Sequence, residues 1–488
     1  MKNQLSLWTG ALASLLMIWA CTPTSQQEPE GDQPFQAQLE KLKSSTDSVY
    51  TDFIQMTLVA HTLNFYLPAI QSPVMGNVNG LWVLLGGRKS GLHSMDQDPP
   101  SFQTLQANDS IWVIDLDNNQ SYGIPAPAPY FKYLTASSQQ YFQDGNTLYV
   151  SGGFTFRDST SQVSNWTSDA FMEIDLPSLI QYVQSNGSQP ALESVVTKFI
   201  QDPFLQVTGG EMMVSNGNFY LIGGQNYDSA YMPQKEGKYT NAIRKFELIQ
   251  GNLGWGITDT LSVIDPVNLH RRDFNLAEVL LPDQDSLGAV IYGGVFTDQD
   301  MAYQSPVYIT GLGAGNPTVQ LDSQLLQQVN LYSSAKINSF LGNWPYRMNR
   351  IALFGGITYQ ALSKDSSSLE IPPASLALPF SNLMSSLYTD GVQESVELVQ
   401  LPPNSLLPGY LGANAVFIPV TSYLYGNSST ILDLNKVFSN TNPGPVLVGF
   451  IYGGILSPAP NTFTPRGPRV TQPNPVLYEV YMSLKDVH

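Results

Sequence analysis

Cysteine is almost absent from this chain: Cys21 is the only one. That excludes intrachain disulfides and any cysteine-based metal site, so the fold must rest on its core. Histidine is scarce as well. His61, His93, His270 and His488 are the only four, and no pair has metal-ligand spacing, so no metal and no cofactor is expected. Charge is thin, at 12% Asp, Glu, Lys and Arg, and lopsided, with 22 basic against 39 acidic residues and a net charge of −17. Phosphate binding needs concentrated positive charge, so nucleic acid is not expected as a partner. The sequence has no G-x-S-x-G, P-loop or dinucleotide fingerprint. The string "DLDNN" (115–119) lacks the glycine and distal glutamate of a calcium loop and reads as a turn.

The N-terminal apolar run, Leu5 to Ala20, is too short to span a bilayer comfortably. It follows Lys2 and reads as a signal peptide over residues 1–20. It ends in "IWAC" (18–21), similar to a bacterial lipobox, in which a small residue precedes the cysteine that carries lipid. Residues 21–47 are expected to form a polar tether, with a short helix in "FQAQLEKLKSS" (35–45). A second lipid chain on Cys21 would anchor the protein stably, so membrane contact is expected through the anchor alone. The expected location is the outer membrane of a cell envelope, facing the periplasm or the medium.

Glycine (39), proline (34), tyrosine (25) and phenylalanine (22) are plentiful, which suits a β-protein rich in turns. Apolar runs ending in Gly-Gly recur six times, with the pairs beginning at 86, 152, 223, 293, 355 and 453. They include "LWVLLGGR" (81–88), "IALFGGIT" (351–358) and "GFIYGGIL" (449–456), and each reads as a buried strand. A second strand is expected after each pair, as in "DSIWVIDLDNN" (109–119), "DAFMEIDLPSL" (169–179) and "ESVELVQL" (394–401). A third precedes it, as in "GGEMMVSNGN" (209–218), and segments such as "YGIPAP" (122–127) supply a fourth.

The string "IWVIDLDNNQSYGIP" resembles the kelch motif, with Asp115 in the usual place and Tyr122 where that family has tryptophan. The strings "HRRDFNLAEV", "RIALFGGI" and "LGANAVFIP…VGFIYGGI" are similar to those of kelch-like lipoproteins of Bacteroidetes-type bacteria. The resemblance covers roughly residues 48–488. It implies an all-β, six-bladed kelch-type β-propeller of four-stranded blades. The last blade lacks a fourth strand, which "SVYTDFIQMTLVA" (48–60) is expected to donate, closing the ring. The 98-residue step from 355 to 453 is read as an insertion at 420–445, not as a seventh blade.

Strands labelled A to D from the axis outward put the A–B and C–D connections on one face. The long B–C loops and the D–A loops share the other, where function is expected. The candidate ligand residues are Gln139, Glu211, His270, Arg271, Arg272, Asp273, Arg347 and Asn414. Gln139 and Glu211 each lie six residues before a turn glycine and are equivalent positions on strand A. Strand alternation is expected to send Arg271 and Asp273 one way and His270 and Arg272 the other, with at least one arginine serving as scaffold. The leading expectation is a non-catalytic binding protein that takes a carbohydrate or a protein partner at the loop face. The alternatives are a sugar mutarotase or epimerase and a structural subunit of an envelope assembly. Some kelch-type propellers are copper oxidases with a Tyr–Cys cross-link, which the tether position of Cys21 excludes here. Sialic acid mutarotases also occur in the family. Such chemistry would need an acid/base pair and cations, which Arg271, Arg272, Arg347, Arg350 and Glu211 are the candidates to supply.

Overall fold

The computed structural model describes residues 52–93, 100–232, 237–282, 286–342, 348–363, 368–371, 378–400, 407–439, 444–460 and 470–484. The expected signal peptide, Cys21, the tether and its helix, and Arg347 lie outside them.

Each Gly-Gly run forms strand B of a four-stranded antiparallel blade, and six blades make the propeller. Blade one runs Val74–Val78, Leu81–Leu85, Ser110–Asp115 and Gln120–Pro125. Blade two runs Gln140–Asp144, Thr147–Ser151, Ala170–Asp175 and Val196–Gln201. Blade three runs Glu211–Ser215, Asn218–Ile222, Ala242–Gly251 and Gly254–Ile264, and blade four Asn275–Leu280, Leu287–Tyr292, Val307–Thr310 and Thr318–Leu321. Blade five runs Ala335–Leu341, Met348–Phe354, Met384–Thr389 and Ser395–Gln400. Blade six runs Tyr410–Pro419, Val446–Ser457 and Tyr478–Leu484, and its outer strand is Ile54–Ala60 from the other end of the chain.

That outer strand pairs with Tyr478–Leu484 from Ile54↔Leu484 to Ala60↔Tyr478, so the ring closes as expected. Strand B is covered on both faces because each blade packs against two neighbours. Asn218–Ile222 and Met348–Phe354 are buried throughout, which is why these runs read as continuous rather than alternating.

The Gly-Gly pairs stitch blade to blade. The second glycine of each pair donates its N–H to the D–A loop of the next blade. The bonds are Gly87 to Ala136 O (3.0 Å), Gly153 to Val207 O (2.8 Å) and Gly224 to Arg271 O (2.8 Å). Gly294 to Leu331 O (2.7 Å), Gly356 to Leu411 O (3.0 Å) and Gly454 to Ile70 O (3.0 Å) complete the circle. The first glycine sits against the same carbonyl. A Cβ on Gly355 would lie 1.8 Å from Leu411 O, and one on Gly453 would lie 2.2 Å from Ile70 O. Both have left-handed φ, 63° and 68°, so glycine is required twice over.

Two local expectations need correction. "ESVELVQL" is strand D of blade five, not strand C. Strand C is Met384–Thr389, "MSSLYT", whose paired serines hide it from a hydrophobicity reading although all six residues are buried. The strand within 169–179 stops at Asp175, whose side chain accepts from Ser178 N (2.8 Å) and caps the helix Leu176–Gln184. Its apolar face, Leu176, Leu179, Ile180 and Val183, packs into the core shared with blades one and two. The insertion after strand A of blade six turns back into the ring. Its strand Ile431–Asp433 pairs in parallel with Asn338–Phe340, on the inner edge of blade five. Ser429 then donates to Gln143 O of blade two (2.7 Å), so the insertion floors the axial channel.

Candidate functional site

The D–A loops each bring one residue to the axis in the left-handed conformation: Ser72 (φ 51°), Ser138 (53°), Gly209 (67°), Asp273 (53°), Ser333 (27°) and Asn414 (56°). Their backbones join in a chain of five hydrogen bonds around the axis. Ser72 N donates to Asn414 O (2.9 Å), Asn414 N to Ser333 O (2.7 Å) and Ser333 N to Asp273 O (2.9 Å). Asp273 N donates to Gly209 O (2.7 Å) and Gly209 N to Ser138 O (3.1 Å). These residues form a neck between an upper pocket and the channel below, because Ser72, Ser138, Gly209, Asp273 and Asn414 line both.

The upper pocket holds about 660 Å³ and opens on the face of the B–C and D–A loops, where the site was expected. One wall is a run of aromatic rings from three B–C loops. His93 stacks on Phe102 (5.2 Å between centroids) and meets Tyr231 (4.6 Å), and Phe102 packs edge-on against Phe154 (5.3 Å). Tyr227 joins Phe154 (5.7 Å) and Tyr231 (5.6 Å).

The other wall is charged. Arg272 Nη1 donates to Asp273 Oδ2 (3.0 Å), and its Nε donates to Tyr239 Oη (3.2 Å). The guanidinium also lies 5.1 Å over the Phe296 ring. Burial pushes the Asp273 carboxyl above its usual range, and Arg272 and Tyr332 oppose that push. Arg88 completes the pocket. Its side chain is 3% exposed, with Cζ 4.9 Å over Phe102 and Nη2 donating to Gln103 O (3.3 Å) and Gln106 Oε1 (3.1 Å). Among the described residues no carboxylate pairs with it, and burial pushes its pKa down to about 10.

Below the neck, Gln139, Glu211 and Lys336 line the channel, with Lys336 Nζ 3.2 Å from Glu211 Oε1. The expected equivalence of Gln139 and Glu211 is thus a shared compartment, where Gln139 Nε2 donates to Tyr133 O (3.0 Å). Asn414 belongs one position earlier in the blade pattern, in the neck with Ser138, and its Nδ2 donates to Gln71 Oε1 (2.9 Å).

The expected alternation through 270–273 fails. Arg272 and Asp273 reach the pocket together because the left-handed Asp273 breaks the pleat before strand A starts at Asn275. His270 stands behind them, stacked on Tyr239 (3.9 Å) and bonded to Asn241 Oδ1 (2.8 Å). Arg271 is scaffold: it is 2% exposed, donates from Nη1 to Gly293 O (3.1 Å) and Ser305 O (2.9 Å), and lies 4.4 Å over Tyr303. Arg350 is buried in the ring closure, bound to Asp52, and far in function from the pocket. Sequence reasoning missed Arg88, Tyr231, Tyr239 and Tyr332. A signal for the first was present, since among the six strand-ending Gly-Gly pairs "GGR" is the one followed directly by a charged residue.

The site therefore belongs to a six-bladed propeller with an axial pocket gated by a backbone neck. No family model matches the chain, and no curated protein matches it. A solved structure titled "Structure of YjhT" aligns with 87% of this chain and 97% of its own length, at 12% identity and a TM-score of 0.46.

Proposed function

We propose that this protein binds a small acidic carbohydrate in the mouth of its propeller channel. Arg88 carries the reading: a buried guanidinium lines the pocket with no carboxylate partner among the described residues. A buried charge left unpaired is costly, and an anionic group on a ligand would offset that cost. Arg272 is already paired with Asp273, so Arg88 leaves the pocket's charge positive. The aromatic wall suits the apolar face of a sugar ring, and the polar neck suits its hydroxyls. The rings line a concavity rather than a flat patch, which favours a small molecule over a protein surface.

A sugar mutarotase or epimerase is the second reading. One observation favours it: Asp273, with its carboxyl raised, and Glu211 line the same compartment under the neck. Lipid anchoring at the outer membrane rests on the "IWAC" string, and the kelch-type affiliation on the repeat strings already quoted.

An array of neutral and acidic glycans probed with the protein tests the leading reading. Binding confined to acidic glycans is expected. No glycan binding, with a protein partner captured instead, would sink it.

A further inference from the structure

The channel below the neck widens into a compartment of about 870 Å³, floored by Ser429 and Thr430 of the insertion. Its charged side chains are Glu211, Glu278 and Lys336, one from strand A of each of blades three, four and five. Lys336 is paired with Glu211. That leaves one carboxylate, Glu278, in excess, and the compartment carries a formal charge of about −1 when Glu278 is ionised.

Neutral oxygens line the same compartment as Glu278. Asn338 is 5% exposed, lines this compartment, and its Oδ1 accepts no hydrogen bond. Thr430 Oγ1 is also buried, and its hydroxyl interacts with Glu278. The two are brought together by the parallel pairing Asn338↔Ile431, which sets Thr430 next to Asn338 along the ladder. Glu278 lies on the adjoining strand A and is close enough to Thr430 for that hydroxyl to affect its ionisation. Carboxylate, amide and hydroxyl oxygens on one lumen wall form a set of hard ligands.

We propose that Glu278, Asn338 and Thr430 bind a monovalent alkali cation at the floor of the channel. Charge selects the valence: one positive charge neutralises the compartment, while a divalent ion would overshoot beside the Lys336 ammonium. Water supplies the remaining coordination. The Tyr141 hydroxyl borders the same lumen and, with its pKa raised, stays neutral. This site is independent of the ligand assigned to the mouth.

The test is a melting-temperature titration of the full-length protein with NaCl or KCl at pH 8. Choline chloride holds the ionic strength constant, and ²³Na line broadening reports binding directly. A saturable rise in melting temperature and broadened sodium resonances are expected, both shrinking below pH 6 as Glu278 takes a proton. Glu278→Gln should fold and lose the saturable rise. Thr430→Val, which removes only a hydroxyl, should weaken it, and Asp273→Asn in the neck should keep it. A rise that is identical in Glu278→Gln and Thr430→Val, or that choline reproduces, overturns the proposal. Should Glu278→Gln not fold, the Thr430→Val titration decides alone.

Discussion

Arg350 Nη2 donates to Asp52 Oδ2 at 2.6 Å, with both side chains sealed from solvent. Asp52 stands just before the closing strand, and it also accepts from Tyr388 Oη (2.6 Å), Ser386 Oγ and Ile54 N (3.0 Å). The pair fastens the N-terminal strand of blade six to blade five. Removing one partner strands a buried charge, so Asp52→Ala should cost about 3–5 kcal/mol in chemical denaturation. Burial would raise the Asp52 carboxyl, but Arg350 and the hydrogen bonds outweigh it and hold it low. Its stabilisation is therefore full above the unfolded carboxyl value of about 3.9 and is lost as pH falls through the lower folded value. The stability gap between wild type and Asp52→Ala should narrow below pH 4.

Two glycines separate strain from collision. Gly145 and Gly453 both have left-handed φ, 54° and 68°. A Cβ on Gly145 meets nothing within 4 Å, whereas one on Gly453 meets Ile70 O at 2.2 Å. Gly145→Ala should cost about 1 kcal/mol, the backbone term alone. Gly453→Ala should cost several times more, because it opens the stitch between blades six and one. Equal losses in thermal melts would refute the stitching role of the first glycine.

The adjacent arginines should part company. Arg271→Met strands the Gly293 and Ser305 carbonyls at about 1–3 kcal/mol each, so it should lower the melting temperature while the folded protein keeps its ligand. Arg272→Lys keeps a cation but loses the fork that joins Asp273 and Tyr239. It should weaken ligand binding with a smaller change in melting.

Glu397, on strand D of blade five, accepts from Gln328 N (2.6 Å), and burial pushes its carboxyl up to about 8. A carboxyl whose folded value is raised stabilises the fold below its unfolded value and loses that contribution as pH rises to the folded one. Stability should therefore decline between about pH 4.5 and pH 8 at this position. Glu397→Gln should flatten that slope in urea titrations. An unchanged slope would place the charge in solvent.

Much of this was legible because a propeller repeats. Six Gly-Gly strings announce six blades, and the missing last strand points to the N-terminal segment. What escaped the sequence was geometry that no period encodes. The left-handed turn at Asp273 reverses an alternation argument, and "MSSLYT" pairs as strand C although it lacks an apolar run. The insertion's return into the channel depends on Ile431 joining Leu280 and Phe340 in a small core, a contact between segments far apart in sequence. Arg88 shows the same limit. Its sequence neighbours mark it as unusual, but only the fold shows that no acid among the described residues meets it.

Calorimetric titration of matched monosaccharides, with glucuronate against glucose as the simplest pair, tests the central claim most directly when run on wild type and Arg88→Gln. Wild type is expected to prefer the carboxylate sugar, and Arg88→Gln to lose this preference while its melting temperature stays close to wild type. Equal binding of both sugars by wild type, or a preference that survives in Arg88→Gln, would contradict it.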